Sequence, residues 1–142
     1  MKRRDKERLV TEALAARERA SAPYSGFAVG AALLAGDGTI HRGANVESVS
    51  YGLTCCAERV ALFRAVCDGH SGFVAIAVVA RHDGGVMPCG ACRQLLSEYA
   101  PKARVLVADA ARPGTLREFA VADLLPGAFD SFTRASSRCV EP

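Results

Sequence analysis

The eight residues Phe73-Val74-Ala75-Ile76-Ala77-Val78-Val79-Ala80 contain no polar side chain. An uninterrupted apolar run of strand length belongs to a strand covered on both faces, because a strand with one wet face alternates apolar and polar residues. The chain must therefore supply a layer on either side of it. From Asp5 to Ala20, residues Leu9, Val10, Ala13, Leu14 and Ala16 recur three and four apart among charges, which predicts an amphipathic helix ending before Pro23. The run Ala28 to Ala35, the turn chemistry of Gly36-Asp37-Gly38 and the stretch Thr39 to Gly43 predict two strands joined by a hairpin. Cys56 to Cys67 has only Glu58, Arg59 and Arg64 as charged residues, and reads as a helix buried on nearly every face. Gly90 to Tyr99 reads as a further helix, Arg104 to Ala108 as a strand, and Val121 to Leu125, stopped by Pro126, as one helical turn. Alternating strands and helices predict an α/β sandwich. The 142 residues suit one domain, 1–142, with no linker, repeat or low-complexity tract.

Six cysteines imply three disulfides only in a secreted protein. The basic start Met1-Lys2-Arg3-Arg4 runs into alternating charge without the apolar segment of a signal peptide, and no apolar run reaches the about 18 residues of a membrane span. The expected setting is a reducing cytoplasm with no membrane partner, where clustered thiols are metal ligands or nucleophiles. The net charge of +3 comes from Lys and Arg interleaved with acids rather than gathered into a stripe, which argues against a nucleic-acid partner.

Three of the cysteines stand in two constellations, Cys56-Ala57-Glu58-Arg59 and Pro88-Cys89-Gly90-Ala91-Cys92. Cys89 and Cys92 alone are ambiguous between a redox pair, half a zinc ribbon and two buried thiols. With Cys56 they make three thiolates, which leave the fourth tetrahedral position of a zinc ion open, as in catalytic sites. Such a metal makes water acidic near neutral pH, and a proton acceptor beside it completes the chemistry. Glu58 is the candidate. Residues two apart on a helix point to different faces, so Cys56 and Glu58 converge only if a helix begins at about Cys56. Helices starting at both motifs would aim two positive dipole ends at the metal and favour thiolates. Arg59, three residues after Cys56, is placed to donate to sulfur and offset the surplus negative charge.

These residues resemble the cytidine deaminases, in particular the small three-cysteine form that assembles as a homotetramer. The likeness runs through Pro23-Tyr24-Ser25-Gly26-Phe27-Ala28-Val29-Gly30-Ala31-Ala32-Leu33, Asn45-Val46-Glu47, Ser50-Tyr51-Gly52-Leu53-Thr54, Arg93-Gln94, and Leu124-Leu125-Pro126 with Phe129. It implies a three-layer α-β-α sandwich with a mixed central sheet, and one Zn2+ per chain held by Cys56, Cys89 and Cys92. The implied reaction is hydrolytic deamination of cytidine and 2'-deoxycytidine in pyrimidine salvage, with Glu58 passing protons from water to the ring and the departing ammonia. The resemblance further implies that Asn45 and Glu47 bind the ribose, that Phe27 stacks near the pyrimidine, and that the Ala57 N–H donates to the cytosine carbonyl. Tyr51 and Phe129 would reach a neighbouring subunit's pocket. The chain departs from the family's usual pattern at Ser48-Val49, where Asn-Ala is common, and at Cys55, often isoleucine. A bulkier Val49 is expected to bear on a pocket wall or a subunit contact. Cys55, Cys67 and Cys139 match no motif position and read as buried or incidental thiols, Cys139 in a loose C-terminal tail.

Three other readings stay open on the sequence. A sister activity on a blasticidin-type aminopyrimidine nucleoside shares the zinc motifs, although Asn45 and Glu47 favour a plain ribose or deoxyribose. Editing of a base in RNA or DNA would use extra basic or aromatic elements that the chain lacks. A structural zinc in a non-catalytic interaction module is countered by the open fourth position with Glu58 beside it.

Overall fold

A computed structural model describes residues 1–130. The elements follow in the order α1 (Arg3–Arg17), β1 (Val29–Leu34), β2 (Ile40–Ala44), a 3-10 turn (Tyr51–Leu53), α2 (Ala57–Cys67), β3 (Ala75–Ala80), α3 (Gly90–Tyr99), β4 (Arg104–Asp109), β5 (Arg112–Ala120) and α4 (Val121–Leu124). The strands form one mixed sheet in the order β2-β1-β3-β4-β5, in which only β3 and β4 are parallel neighbours.

Every residue of β3 is buried, as its apolar run requires. Ile76 and Val78 pack with Ala61 and Leu62 of α2, Leu96 of α3, and Val121 and Leu124 of α4. Ala75, Ala77 and Val79 face the other way, onto Leu9, Val10 and Ala13 of α1. The sheet is thus sandwiched between α1 on one face and α2, α3 and α4 on the other. The small residues on the α1 side let that helix lie close: a Cβ on Gly30 would fall 2.0 Å from the Ala13 carbonyl oxygen.

Two elements differ from the sequence expectation. α2 is not buried all round: Ala57, Glu58, Ala61, Leu62 and Ala65 turn inward, while Phe63 and Val66 are 44% and 36% exposed. A helix lying on one sheet buries a stripe and turns the rest outward, however apolar the rest is. β5 has no counterpart in the sequence reading. Its residues are mostly exposed and include Pro113 and Gly114, so it lacks the alternation of a half-buried strand. It exists because β4 offers a free edge, where a proline is tolerated, and an Arg104–Glu118 pair at 3.0 Å reinforces the register.

The topology brings two helix starts together. β2 and β3 both run antiparallel to β1, and Gly30 of β1 pairs with Ala44 on one side and Val79 on the other. The C-terminal ends of β2 and β3 therefore lie at the same end of the sheet. α3 connects the parallel strands β3 and β4, so it must begin at that end and run back. α2 begins there too, because Gly43 near the end of β2 touches its first turns: a Cβ on Gly43 would lie 2.3 Å from the Ala57 carbonyl oxygen and 2.4 Å from the Ala61 nitrogen. Among the described residues, no helix is long and apolar enough to cross a membrane.

Both of these Gly43 contacts are backbone and cannot swing aside. Gly43→Ala is expected to lever α2 off the sheet, cost about 1 to 3 kcal/mol and lower the midpoint of a thermal melt. Gly52→Ala, whose Cβ would meet nothing within 4 Å, should melt like the parent.

Candidate functional site

Cys56 is the N-cap of α2 and Cys89 the N-cap of α3, both in extended backbone, and Cys92 lies buried in the first turn of α3. The convergence of the helix starts brings the three sulfurs together. Cys56 Sγ is 3.7 Å from Cys89 Sγ, which is 3.5 Å from Cys92 Sγ, and all three lie within 4.8 Å of one another. Sulfurs on a tetrahedral zinc with bonds of about 2.3 Å stand about 3.8 Å apart. The trio fits that geometry.

Its electrostatics favour a cation. A hydrogen bond from the Cys92 thiol, with others from Arg59 and Cys89, holds the Cys56 thiol down to about 5. Cys92, which gives that hydrogen bond and is also buried, is pushed up. The Cys56 thiolate therefore forms readily and its charge opposes ionisation of Cys92, an opposition that a metal held among the sulfurs would relieve. Arg59 Nη2 donates to Cys56 Sγ at 3.6 Å and to the Thr54 carbonyl at 3.0 Å, as the three-residue spacing predicts.

Glu58 is the second residue of α2 and is 5% exposed. Its position just past the N-cap resolves the spacing problem, because Cys56 stands outside the helix while Glu58 turns in. Burial pushes its carboxyl up to about 7, and the negative Cys56 beside it adds to the shift. A carboxyl with that proton affinity can both accept and return a proton near neutral pH. Ala57 is fully buried, and its N–H belongs to the first turn of α2, where no intrahelical acceptor exists.

A cavity of about 350 Å³ is lined by Tyr24, Ser25, Glu47, Ser48, Tyr51 and Thr54, within the usual size range of small-ligand sites. Glu47 is clamped there. Its Oε1 accepts the N–H groups of Tyr24 at 3.0 Å and Ser25 at 3.1 Å, and its Oε2 accepts the Ser25 hydroxyl at 2.5 Å. The hydrogen bonds from Ser25 hold its carboxyl below the ordinary range. Asn45 is a bracket: its Oδ1 accepts the Val29 N–H at 2.9 Å and its Nδ2 donates to the Phe27 carbonyl at 2.8 Å. This fixes the backbone on either side of Ala28 and so the base of the Phe27 ring, which is 38% exposed.

The cavity rim is hydrogen-bonded to the segment entering α2. Val46 and Cys55 exchange two backbone hydrogen bonds of 3.0 and 2.9 Å, and the Ser48 N–H donates to Thr54 Oγ1 at 3.1 Å. The structure thus groups Cys56, Cys89, Cys92, Glu58 and Arg59 in one cluster and places Glu47 and Tyr51 in the adjoining cavity. Tyr51 is exposed and rests edge-on against Tyr24, with ring centroids 6.5 Å apart. Phe129 is also exposed, and its carbonyl accepts the Gln94 amide N–H at 2.6 Å. Val49 lies outside the cavity lining and is 77% exposed, whereas Ser48 lines it. Cys55 is half-buried and Cys67 exposed, while Cys139 lies outside the described residues.

The sequence reading gave no role of their own to Tyr24 and Ser25, and it placed Thr54 only within a segment resembling the family's nucleoside-binding one. The local signal for Ser25 is its neighbour Gly26, whose φ of 65° turns the chain. That turn lets the Ser25 hydroxyl serve Glu47 while accepting the Phe27 N–H at 3.0 Å.

The family model for the cytidine and deoxycytidylate deaminase zinc-binding region matches residues 3–108. The chain belongs to this family. The cytidine deaminase of Halalkalibacterium halodurans is 54% identical over 125 residues, covering 88% of this chain and 94% of that protein. The crystal structure of the Burkholderia pseudomallei cytidine deaminase matches with a TM-score of 0.83 at 47% identity, covering 91% of this chain and all of that one. The blasticidin-S deaminase of Bacillus cereus is 35% identical over 107 residues, covering 69% of this chain and 74% of that protein. Zinc is the metal of this deaminase family, in keeping with a donor set made wholly of thiols. Cys92→Ser is expected to abolish zinc retention, while Cys67→Ser keeps one zinc per chain; metal analysis of the purified variants separates the two outcomes.

Proposed function

We propose that the chain hydrolytically deaminates cytidine and 2'-deoxycytidine to uridine and 2'-deoxyuridine, releasing ammonia. The observation that carries this reading is a buried Glu58 carboxyl, poised near neutral pH, beside a three-thiol cluster; three thiolates would leave the fourth position of a tetrahedral metal to water. Cys56, Cys89 and Cys92 would hold a zinc ion, which when bound would supply the Lewis acidity that makes water a nucleophile at neutral pH. Glu58 would take one proton from the attacking water and pass it to N3 of the ring; it would then take the second from the hydroxyl added at C4, as the C4 carbonyl forms, and pass it to the leaving amine so that ammonia departs. Arg59, bonded to Cys56 Sγ, tempers the charge of the thiolates.

The remaining residues bind and orient. A carboxylate has about four acceptor positions, and Glu47 uses three of them on Tyr24 and Ser25. That leaves it a place for one ribose hydroxyl. Asn45 keeps a second amide hydrogen for the same sugar. Phe27 offers its ring to the pyrimidine, and the Ala57 N–H is the donor for the cytosine carbonyl. Tyr51 and Phe129 act across a subunit boundary in a homotetramer. The apolar side chains left exposed on the loop at Val49, Tyr51 and Leu53, and on α2 at Phe63 and Val66, support such an assembly. The blasticidin-type alternative fits the zinc cluster equally well but not the committed ribose position on Glu47.

Glu58→Gln should keep one zinc per chain and lose about 10² to 10⁴ of turnover, followed by the absorbance change from cytidine to uridine. Turnover near that of the parent would overturn the role of Glu58. In parallel assays cytidine and deoxycytidine should be consumed far faster than blasticidin S. Light scattering should return a four-chain mass; a monomer would overturn the reach of Tyr51 and Phe129 into a neighbour's pocket and leave Tyr51 only in the cavity of its own chain.

A further inference from the structure

Arg93 follows the thiol of Cys92 directly, yet its side chain turns away from the sulfurs and serves two carbonyl groups. Its Nε donates to the Pro88 carbonyl at 2.7 Å, and its Nη1 donates to the Leu124 carbonyl at 3.1 Å. Pro88 is fully buried and immediately precedes Cys89. The Arg93 N–H also bonds the Cys89 carbonyl at 2.9 Å. The backbone on both sides of the Cys89 α-carbon is therefore held by one residue. Leu124 is the last residue of α4, whose terminal carbonyls have no partner within the helix. The chain leaving it reaches Phe129 five residues later, and there the neighbouring Gln94 holds the Phe129 carbonyl.

We propose that Arg93 is a positioning residue that sets the Cys89 thiol and the 125–129 segment from one guanidinium, so that metal retention and the placement of Phe129 are coupled. The rigid planar fork of arginine can serve two carbonyls in fixed relation, and its charge strengthens both bonds. The single ammonium of lysine cannot reproduce that geometry. Gln94 anchors the far end of the same segment without touching the Cys89 backbone. Movement of α4 is thereby transmitted to a thiol, and loss of the thiol's metal to the segment bearing Phe129. The pocket half of this inference rests on the deaminase reading, whereas the metal half does not.

The test compares zinc-loaded parent, Arg93→Ala, Arg93→Lys and Gln94→Ala in the full chain. Two quantities are read: the rate of zinc transfer to a chromogenic chelator, and KM and kcat for cytidine. Thermal melts establish that each variant is folded. Arg93→Ala is expected to release zinc about tenfold or more faster and to raise KM several-fold. Gln94→Ala should raise KM alone, and Arg93→Lys should recover at most one of the two properties. Zinc transfer and KM in Arg93→Ala both within about twofold of the parent, or recovery of both by lysine, would overturn the proposal. If Arg93→Ala does not fold, Arg93→Lys decides: parental values in both readouts refute the coupling, and loss of either supports it. A zinc-loaded parent without turnover would overturn the deaminase reading instead, with the transfer rates still deciding whether Arg93 holds Cys89.

Discussion

The contact between a bare glycine and the first turns of a helix governs the geometry of the whole site. Gly43 lets α2 settle on β2 with no side chain between them, and the height of that helix sets where Cys56, Ala57, Glu58 and Arg59 begin. On the other side, the parallel pairing of β3 with β4 obliges α3 to begin at the same end of the sheet. Two independent constraints, one steric and one topological, thus bring two helix N-termini to one point. The sulfur cluster follows from their meeting rather than from any attraction between the sulfurs.

That meeting point also sorts charge. Unpaired N–H groups at two helix starts favour anions, and Arg59 adds a full positive charge beside Cys56. Cys56, which also accepts a hydrogen bond from the Cys92 thiol, is consequently ready to ionise. Glu58 sits within the same short stretch of α2 but in an apolar setting that keeps its proton bound near neutrality. Groups two residues apart are driven in opposite directions because one accepts hydrogen bonds from Cys92 and Arg59 and the other is buried beneath the helix start. Environments that push two neighbouring proton affinities apart are how one site gives its groups different acid–base behaviour.

Much of this was readable from the residues. The apolar run of β3 required layers on both faces, and the structure supplies α1 on one and α2, α3 and α4 on the other. The need for a helix start near Cys56 followed from spacing alone, and so did the reach of Arg59 to the same sulfur. β5 was not legible, since an edge strand of exposed residues with an internal proline leaves no periodicity to detect. Burial of α2 on nearly every face was over-read from composition, because apolar content does not tell which side a sheet will cover. The brackets formed by Asn45, Ser25 and Thr54 were hidden for another reason: each depends on hydrogen bonds to backbone brought near only by the fold.

The paired backbone hydrogen bonds between Val46 and Cys55 turn residues 47–54 into a closed ring whose two ends are locked together. Ring size matters little to the free energy of such a closure: doubling the enclosed length costs only about 0.6 kcal/mol. Substitutions, or even insertions, within the ring can therefore reshape the cavity wall at Ser48 and Tyr51 while the lock keeps Cys56 where it is. The cavity wall is thereby separable from the thiol cluster, open to drift or redesign without re-founding it.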